Sequence, residues 1–315
     1  MLLLDAGTFP RHKVCGEFFS AEAVSVLASL LGDDHPLLRN ALQIERVRLR
    51  RGDVSTAFAL RSPALSISRF DLDYALWQQA ISIGVICRDH TRVLGATGFE
   101  VQTTEILFPA HRVINATGRW SELSAMHPSQ SSRLIGIKAH FETTDDVPAE
   151  CTLHFFDGGY VGVQPVARRV LNISALVDAK RYRDMNAVLR AAHLQHQHWR
   201  AIYEPITCAP VRFAPPSPLR NRVLQCGDAA AFIDPFAGDG MSLALHSGVL
   251  AAEHALSDTV NEYAKEYTQR FASAFRSAAW MRKLAFGAPW LQSIGIRALR
   301  VPSLANFAVA ATRAS

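Results

Sequence analysis

Residues 223–255, VLQCGDAAAFIDPFAGDGMSLALHSGVLAAEHA, constrain the fold more than any other stretch of the chain. A short apolar run, Val223-Leu224, leads into Gly227-Asp228. A loop containing Pro235, Gly238 and Gly240 follows, and an Ala-rich apolar stretch begins near Met241. That order predicts a strand, an acidic turn, a glycine turn and a helix. Asp228 is an acceptor-only carboxylate at a strand end, suited to a ribose or ribitol hydroxyl. Gly238 and Gly240 let backbone N–H groups approach an oxyanion closely, and a helix starting at Met241 aims its positive dipole end at the same place. The chemistry suits a ligand carrying both hydroxyls and phosphates. The plainer alternative is an ordinary βα connection, in which glycine turns are common.

The chain has 315 residues, enough for one large domain or two intertwined ones. With 49% hydrophobic and 19% charged residues it is a globular sequence, and a net charge of +5 argues for anionic small ligands over a nucleic-acid surface. Cys15, Cys87, Cys151, Cys208 and Cys226 are scattered with no CxxC, which fits neither a disulfide framework nor a zinc site and points to a reducing cytoplasm. No apolar run is long enough to span a membrane, and the N-terminus has no signal-peptide pattern.

Met1 to Asp5 reads as a buried strand ending in an acid. In a dinucleotide-binding fold, the acid ending the second strand grips the adenosine ribose, and the glycine fingerprint lies about 20 residues earlier. Counting back from Asp5 runs off the chain, and no GxGxxG occurs elsewhere, so the first βα unit is expected to be missing. The alternative reading makes Asp5 a surface residue after an N-terminal strand.

The 223–255 segment closely resembles the second FAD-binding motif of flavoproteins related to geranylgeranyl reductases, FixC-type dehydrogenases, flavin-dependent halogenases and aromatic-ring hydroxylases. The resemblance implies that Gly227-Asp228 holds the flavin ribityl chain. It puts Pro235, Gly238, Gly240 and Met241 under the pyrophosphate and the isoalloxazine edge. Thr8 to Phe18, TFPRHKVCGEF, resembles the box that follows the second strand in the FixC and geranylgeranyl reductase relatives. By that likeness Arg11 and Lys13 face phosphate or substrate, Cys15 and Gly16 line the flavin pocket, and Glu17 faces the substrate cavity. A buried structural cysteine is the alternative for Cys15.

Ala21–Leu31 has helical periodicity; 43–51 and 56–60 read as strands; Ser68 to Asp73 starts a helix. Arg69 resembles the arginine that reaches the cofactor in the superfamily, although pairing with Asp73 on the same helix face is equally open. Residues 84–88, 98–102 and 112–115 read as strands, the last running into Asn115-Ala-Thr117-Gly118-Arg-Trp-Ser121. That turn resembles the family's turn against FAD, with Thr117-Gly118 where aromatic hydroxylases have Asp-Gly. Alternating strands at 134–141, 151–156, 160–166 and 170–177 predict an antiparallel sheet. Its strand 159–165, GYVGVQP, lies where the relatives carry a cavity-lining strand. Tyr160 keeps the family residue, while Gly162 and Gln164 replace bulky aromatics, which implies a wider, more polar wall. The halogenase signature of two tryptophans before Ile-Pro is absent. His193, His196 and His198 read as a solvated helix face, not a metal site. Basic and aromatic residues after Ser257 predict helices forming either a domain cover or an amphipathic membrane-facing surface.

Together these readings predict an α/β fold: a Rossmann-like FAD-binding domain interleaved with an antiparallel-sheet substrate domain, plus C-terminal helices. The FAD-binding part is expected at 1–45, 69–125 and 210–258, the substrate part at 46–68 and 126–209, and the helical region at 259–315. The resemblance implies a cytoplasmic FAD-dependent oxidoreductase, most simply a dehydrogenase or reductase of an apolar prenyl-like or polyketide-like substrate, with NAD(P)H as a candidate electron donor. A flavin monooxygenase, or a truncated product that binds no FAD, are the alternatives.

Overall fold

The computed structural model describes residues 1–119, 123, 132–194, 198–301 and 303–304. Outside the large sheet, parallel pairing occurs in two separate pieces. Strand β1 (Leu2–Leu4) pairs in parallel with β5 (Ile86–Arg88), and β9 (Ile114–Asn115) pairs in parallel with β17 (Val223–Gln225). The far edge of β17 carries β16 (Leu219–Arg220) antiparallel. All three residues of β17 are buried, as expected of a short apolar strand covered on both faces.

The large sheet is mixed, not purely antiparallel. Strands β10 (Leu134–Glu142), β11 (Glu150–Phe156), β12 (Gly159–Ala167) and β13 (Val170–Asp178) run antiparallel in the order 10-13-12-11. β11 then joins β3 (Leu42–Arg51) in parallel, and β3 continues to β4 (Val54–Ser66) and β2 (Phe18–Phe19). β4 extends well past the predicted 56–60 because its register slips opposite Ile44–Arg46, and Pro63 sits in the resulting bulge where no ladder hydrogen bond is needed. β14 (Arg200–Ala201) and β15 (Ile206–Val211) pair with β10, while β6 (Val93–Ala96), β7 (Glu100–Thr103) and β8 (Leu107–Pro109) form a separate meander.

The helices are α1 (Ala21–Leu31), α2 (Pro36–Arg39), α3 (Arg69–Ser82), α4 (Met185–Ala191), α5 (Gly240–Leu256), α6 (Val260–Ala285) and α7 (Pro289–Ala298). Ser68 caps α3, its hydroxyl accepting from Phe70 N at 3.1 Å. α4 stops before the histidine cluster: His193 lies in a turn with φ +55, so it does not share a helix face, and His196 falls outside the described residues. No group of His, Cys, Asp and Glu among the described residues could hold a metal ion.

Helices α5 and α6 close over β17. Tyr263, Tyr267 and Phe271 are fully buried against Leu224, Leu243 and Leu250, each side chain contributing roughly 1.5–3 kcal/mol by burial. Met241 turns the other way, into a cluster with Phe19, Leu27 and Leu72 that ties the start of α5 to α1 and α3. The beginning of α5 is thereby clamped from both sides. This is the predicted α/β architecture, with Rossmann-like strands, a large sheet inserted between them and C-terminal helices.

Candidate functional site: a cofactor-sized cavity

A cavity of about 1290 Å³ runs between the parallel strands, the large sheet and helices α6 and α7. Single small-molecule sites span about 300–1,000 Å³, so this one has room for a cofactor and a substrate. It is lined by Asp5, Arg11, Cys15, Gly16, Arg69, Thr117, Gly118, Gly227, Asp228, Pro235, Gly238, Gly240 and Met241, and also by Glu17, Tyr160, Gly162 and Gln164. The candidate residues, scattered over the chain, therefore share one cavity. Trp120 and Ser121 of the predicted turn lie outside the described residues.

The wall built from 223–241 is held by the backbone. Asn115 Nδ2 donates to Gln225 Oε1 at 2.6 Å, Tyr263 Oη donates to Gln225 O at 2.7 Å, and Ser247 Oγ accepts from Gly227 N at 2.8 Å. Gly227 has φ +53 and a Cβ there would stand 3.2 Å from the Ala244 Cβ, so the turn needs glycine both for conformation and for contact with α5. Gly238, at φ +67, presses against the Phe18 ring in the same way. Within this rigid frame the Asp228 carboxylate finds no hydrogen-bond donor among the described residues. Burial pushes it up, and the charges of Arg119, Arg69 and Lys13 pull it only partly back. Helix α5 begins beside it, and its Ncap residue Asp239 caps none of the first-turn amides with its side chain.

The N-terminal box is arranged differently. Asp5 and Arg11 bind each other through both oxygens (Nη1–Oδ1 2.8 Å, Nη2–Oδ2 2.9 Å), and Gly7 N adds a 2.7 Å bond to Asp5 Oδ1. Arg69 likewise grips Asp73 at 2.7 and 2.8 Å, and Lys13 joins Asp73 at 2.6 Å. Of the two readings open for Arg69, the Asp73 pair is the one the fold contains, and Arg69 also lines the cavity. Burial opposes the charge on Asp73, but Arg69 and Lys13 outweigh it and hold the carboxyl below its usual range.

Behind this wall is a network that sequence reasoning missed. The Glu17 side chain is completely buried and accepts from Lys138 Nζ, from Arg69 N at 2.8 Å and from His140 Nε2 at 2.7 Å. Burial alone would raise its pKa; the His140 bond and the Lys138 charge overcome that and lower it. The backbone of Glu17 is left-handed (φ +58) and is clamped there by Gln164, whose amide donates to Glu17 O at 2.9 Å and to Ser66 Oγ at 2.7 Å. Gln164 is thus a buttress behind the wall as well as part of its surface. His12 stacks on Tyr203 at 4.0 Å and meets the edge of His140 at 5.2 Å. One signal was available: Lys138 and His140 alternate on one face of the otherwise apolar run Leu134–Phe141, and a buried strand tolerates such residues only when they are paired.

On the opposite wall Tyr160 Oη donates to Asp234 Oδ1 at 3.4 Å, while Asp234 Oδ2 is buried with no partner among the described residues. Burial pushes Asp234 up to about 6. Around Tyr160 the cavity is aromatic and aliphatic, with Phe155, Phe236, Leu153 and Leu299.

FAD fits the polar end of this cavity by its groups: the half-buried Asp228 carboxylate, with no hydrogen bond to the described residues, glycine backbone with open space at Gly16 and Gly118, and the start of α5. No protein-family model matches the chain. It is 30% identical over 356 residues to menaquinone reductase of Mycolicibacterium smegmatis, covering 98% of this chain and 84% of the relative. Among solved structures, the flavin-dependent brominase Bmp2 superposes with a TM-score of 0.77 at 14% identity, covering 99% of this chain and 86% of that one. P. aeruginosa PqsL, as a multiple mutant, superposes at 0.73 and 14% identity, covering 94% and 92%. A variant of halogenase PltM in complex with FAD superposes at 0.69 and 16% identity, covering 90% and 70%. The structural likenesses establish the fold, and the sequence relationship places the chain in the family of menaquinone reductase, as an FAD-dependent oxidoreductase.

Proposed function

We propose that this protein binds FAD at the Asp228 end of the cavity and reduces a carbon–carbon double bond of an isoprenoid or isoprenoid quinone at the apolar end, in the manner of the geranylgeranyl reductase and FixC-like branch. One observation carries the reading: a single cavity joins the Asp228 carboxylate, which no described residue hydrogen-bonds, and the glycine turns to an apolar wall around Phe155, Tyr160 and Leu299. The name of the relative, menaquinone reductase, supports an apolar quinone as the substrate class.

Bound FAD supplies hydride chemistry that no constellation of side chains here provides. The chain's part is to bind and orient. Asp228 would accept from cofactor hydroxyls, and the first turn of α5 with Gly238 would face phosphate oxygens. The Asp5–Arg11 and Arg69–Asp73–Lys13 clusters keep the N-terminal wall rigid and close to neutral. Saturating a double bond adds a hydride to one carbon and a proton to the other. Tyr160, buried with its hydroxyl donating to Asp234 Oδ1 at 3.4 Å, lies in the apolar wall, where Phe155, Phe236 and Leu299 exclude water. NAD(P)H is the proposed source of electrons.

The test is anaerobic turnover of a prenylated quinone by the FAD-loaded chain, followed by mass spectrometry. A product carrying two added hydrogens is expected. A product carrying added oxygen, formed only in air, would establish the monooxygenase reading instead. A chain that retains no flavin would overturn both.

A further inference from the structure

We propose that the end of α6 together with α7 forms a docking surface for an anionic lipid bilayer at the mouth of the cavity. The two helices repeat one pattern. Arg276, Trp280 and Lys283 are all exposed and stand at i, i+4 and i+7 on α6, so they share a helix face. Trp290, Ile294 and Arg297 have the same spacing on α7, and Val301 continues that row beyond its end. Trp280 is 63% exposed, Trp290 62% and Ile294 56%, an unusual burden of apolar surface for water to cover. The same region forms the rim of the cavity: Arg276, Trp280, Leu299 and Leu304 line it while remaining partly or largely open to solvent.

Charge chooses the partner. After Glu266 no Asp or Glu occurs in the remaining 49 residues of the sequence, which contain seven Lys and Arg. A second copy of the chain covering the tryptophans would bring two such basic, acid-free helical segments together, an arrangement with like charges facing. An anionic bilayer satisfies both halves of the pattern: the indoles sit at the headgroup level, Ile294 and Val301 reach the acyl boundary, and the basic heads meet lipid phosphates. None of the described helices is long and apolar enough to cross a membrane, so the contact lies in the interface plane. That the mouth is placed there to admit a lipid tail rests on the reduction reading above; the docking does not.

The test uses the full FAD-loaded chain and vesicles without substrate, either pure phosphatidylcholine or phosphatidylcholine with phosphatidylglycerol. Co-sedimentation with the anionic vesicles and a blue shift of tryptophan emission are expected. Each basic residue at an anionic surface is worth roughly fivefold in partitioning, so the double substitution K283E/R297E is expected to weaken binding by more than about 25-fold. W290S/I294S, both at exposed positions outside the cavity lining, is expected to weaken it by roughly tenfold and to shrink the emission shift. A chain that stays in the supernatant with every vesicle would overturn the proposal, as would a concentration-dependent dimer that buries the tryptophans instead. Reduction of a detergent-dispersed quinone without vesicle binding would overturn docking alone. Vesicle binding without reduction would overturn only the functional reading.

Discussion

Two turns line the cavity, and they hold a fully buried carboxylate, Glu17, and a half-buried one, Asp228, in opposite states. In the turn after β1, Glu17 receives three donors from the chain itself and is held below its ordinary pKa. In the turn after β17, Asp228 receives none from the described residues and is pushed up by burial. A carboxylate that the fold saturates belongs to the fold. One that the fold desolvates and leaves unpaired stores an interaction for something that arrives later. The contrast separates framework from binding group without reference to any ligand.

The comparison breaks first at Glu17. Glu17→Leu strands the Lys138 ammonium in a fully buried position, and the expected loss of stability is about 3–5 kcal/mol, read by chemical denaturation. The double variant Glu17→Leu/Lys138→Met removes both charges and is expected to recover most of that loss. If the single variant is as stable as the parent, Glu17 is not framework.

Asp234, in the same segment as Asp228, sharpens the contrast through pH. Its carboxyl is raised from 3.8 to about 6, so the folded state holds the proton more tightly than the unfolded one. Its contribution therefore falls as pH rises from about 4 to 6 and stays unfavourable above, by up to roughly 3 kcal/mol. Asp234→Asn is expected to remove that slope, so that the stability difference between variant and parent grows in the variant's favour from pH 4 to 7. Glu17 acts in the reverse sense: its lowered pKa adds stability above the ordinary carboxyl range that is lost on acidification.

Asp228→Ala is expected to leave the ligand-free chain as stable as the parent while weakening FAD by about 1.5–3 kcal/mol, or roughly 10- to 100-fold in flavin titrations. Destabilisation with unchanged FAD affinity would reverse the assignment. The smallest effect is expected at Gly238→Ala, where a left-handed backbone and the Phe18 ring 3.0 Å from the new Cβ together cost about 1–2 kcal/mol in thermal or chemical melts.

Much of the frame was legible because it depends on local pattern. The alternation at 134–177, the caps and periodicity of α1 and α3, and the strand–turn–helix order at 223–256 are properties of neighbouring residues, and the fold follows them. The extension of β4 through Pro63 was not legible, because the bulge that accommodates the proline is set by its pairing with β3. Nor were the partners of the charged residues. Arg11 could face a phosphate or Asp5, and Arg69 a cofactor or Asp73, with the same sequence; only distances of 2.7–2.9 Å in the fold distinguish them.

The residues along the chain thus decide which chemistry is available: carboxylates at strand ends, glycines where backbone must come close, an apolar helix that begins at the right point, and an acid-free basic C-terminal region. Which carboxylate is satisfied and which is left waiting is decided across gaps as long as the 123 residues from Glu17 to His140. The reason is physical. Periodicity and capping act within a few residues, whereas desolvation and pairing depend on what long-range packing brings alongside, and the same glutamate or aspartate can be either framework or binding group until its neighbours arrive.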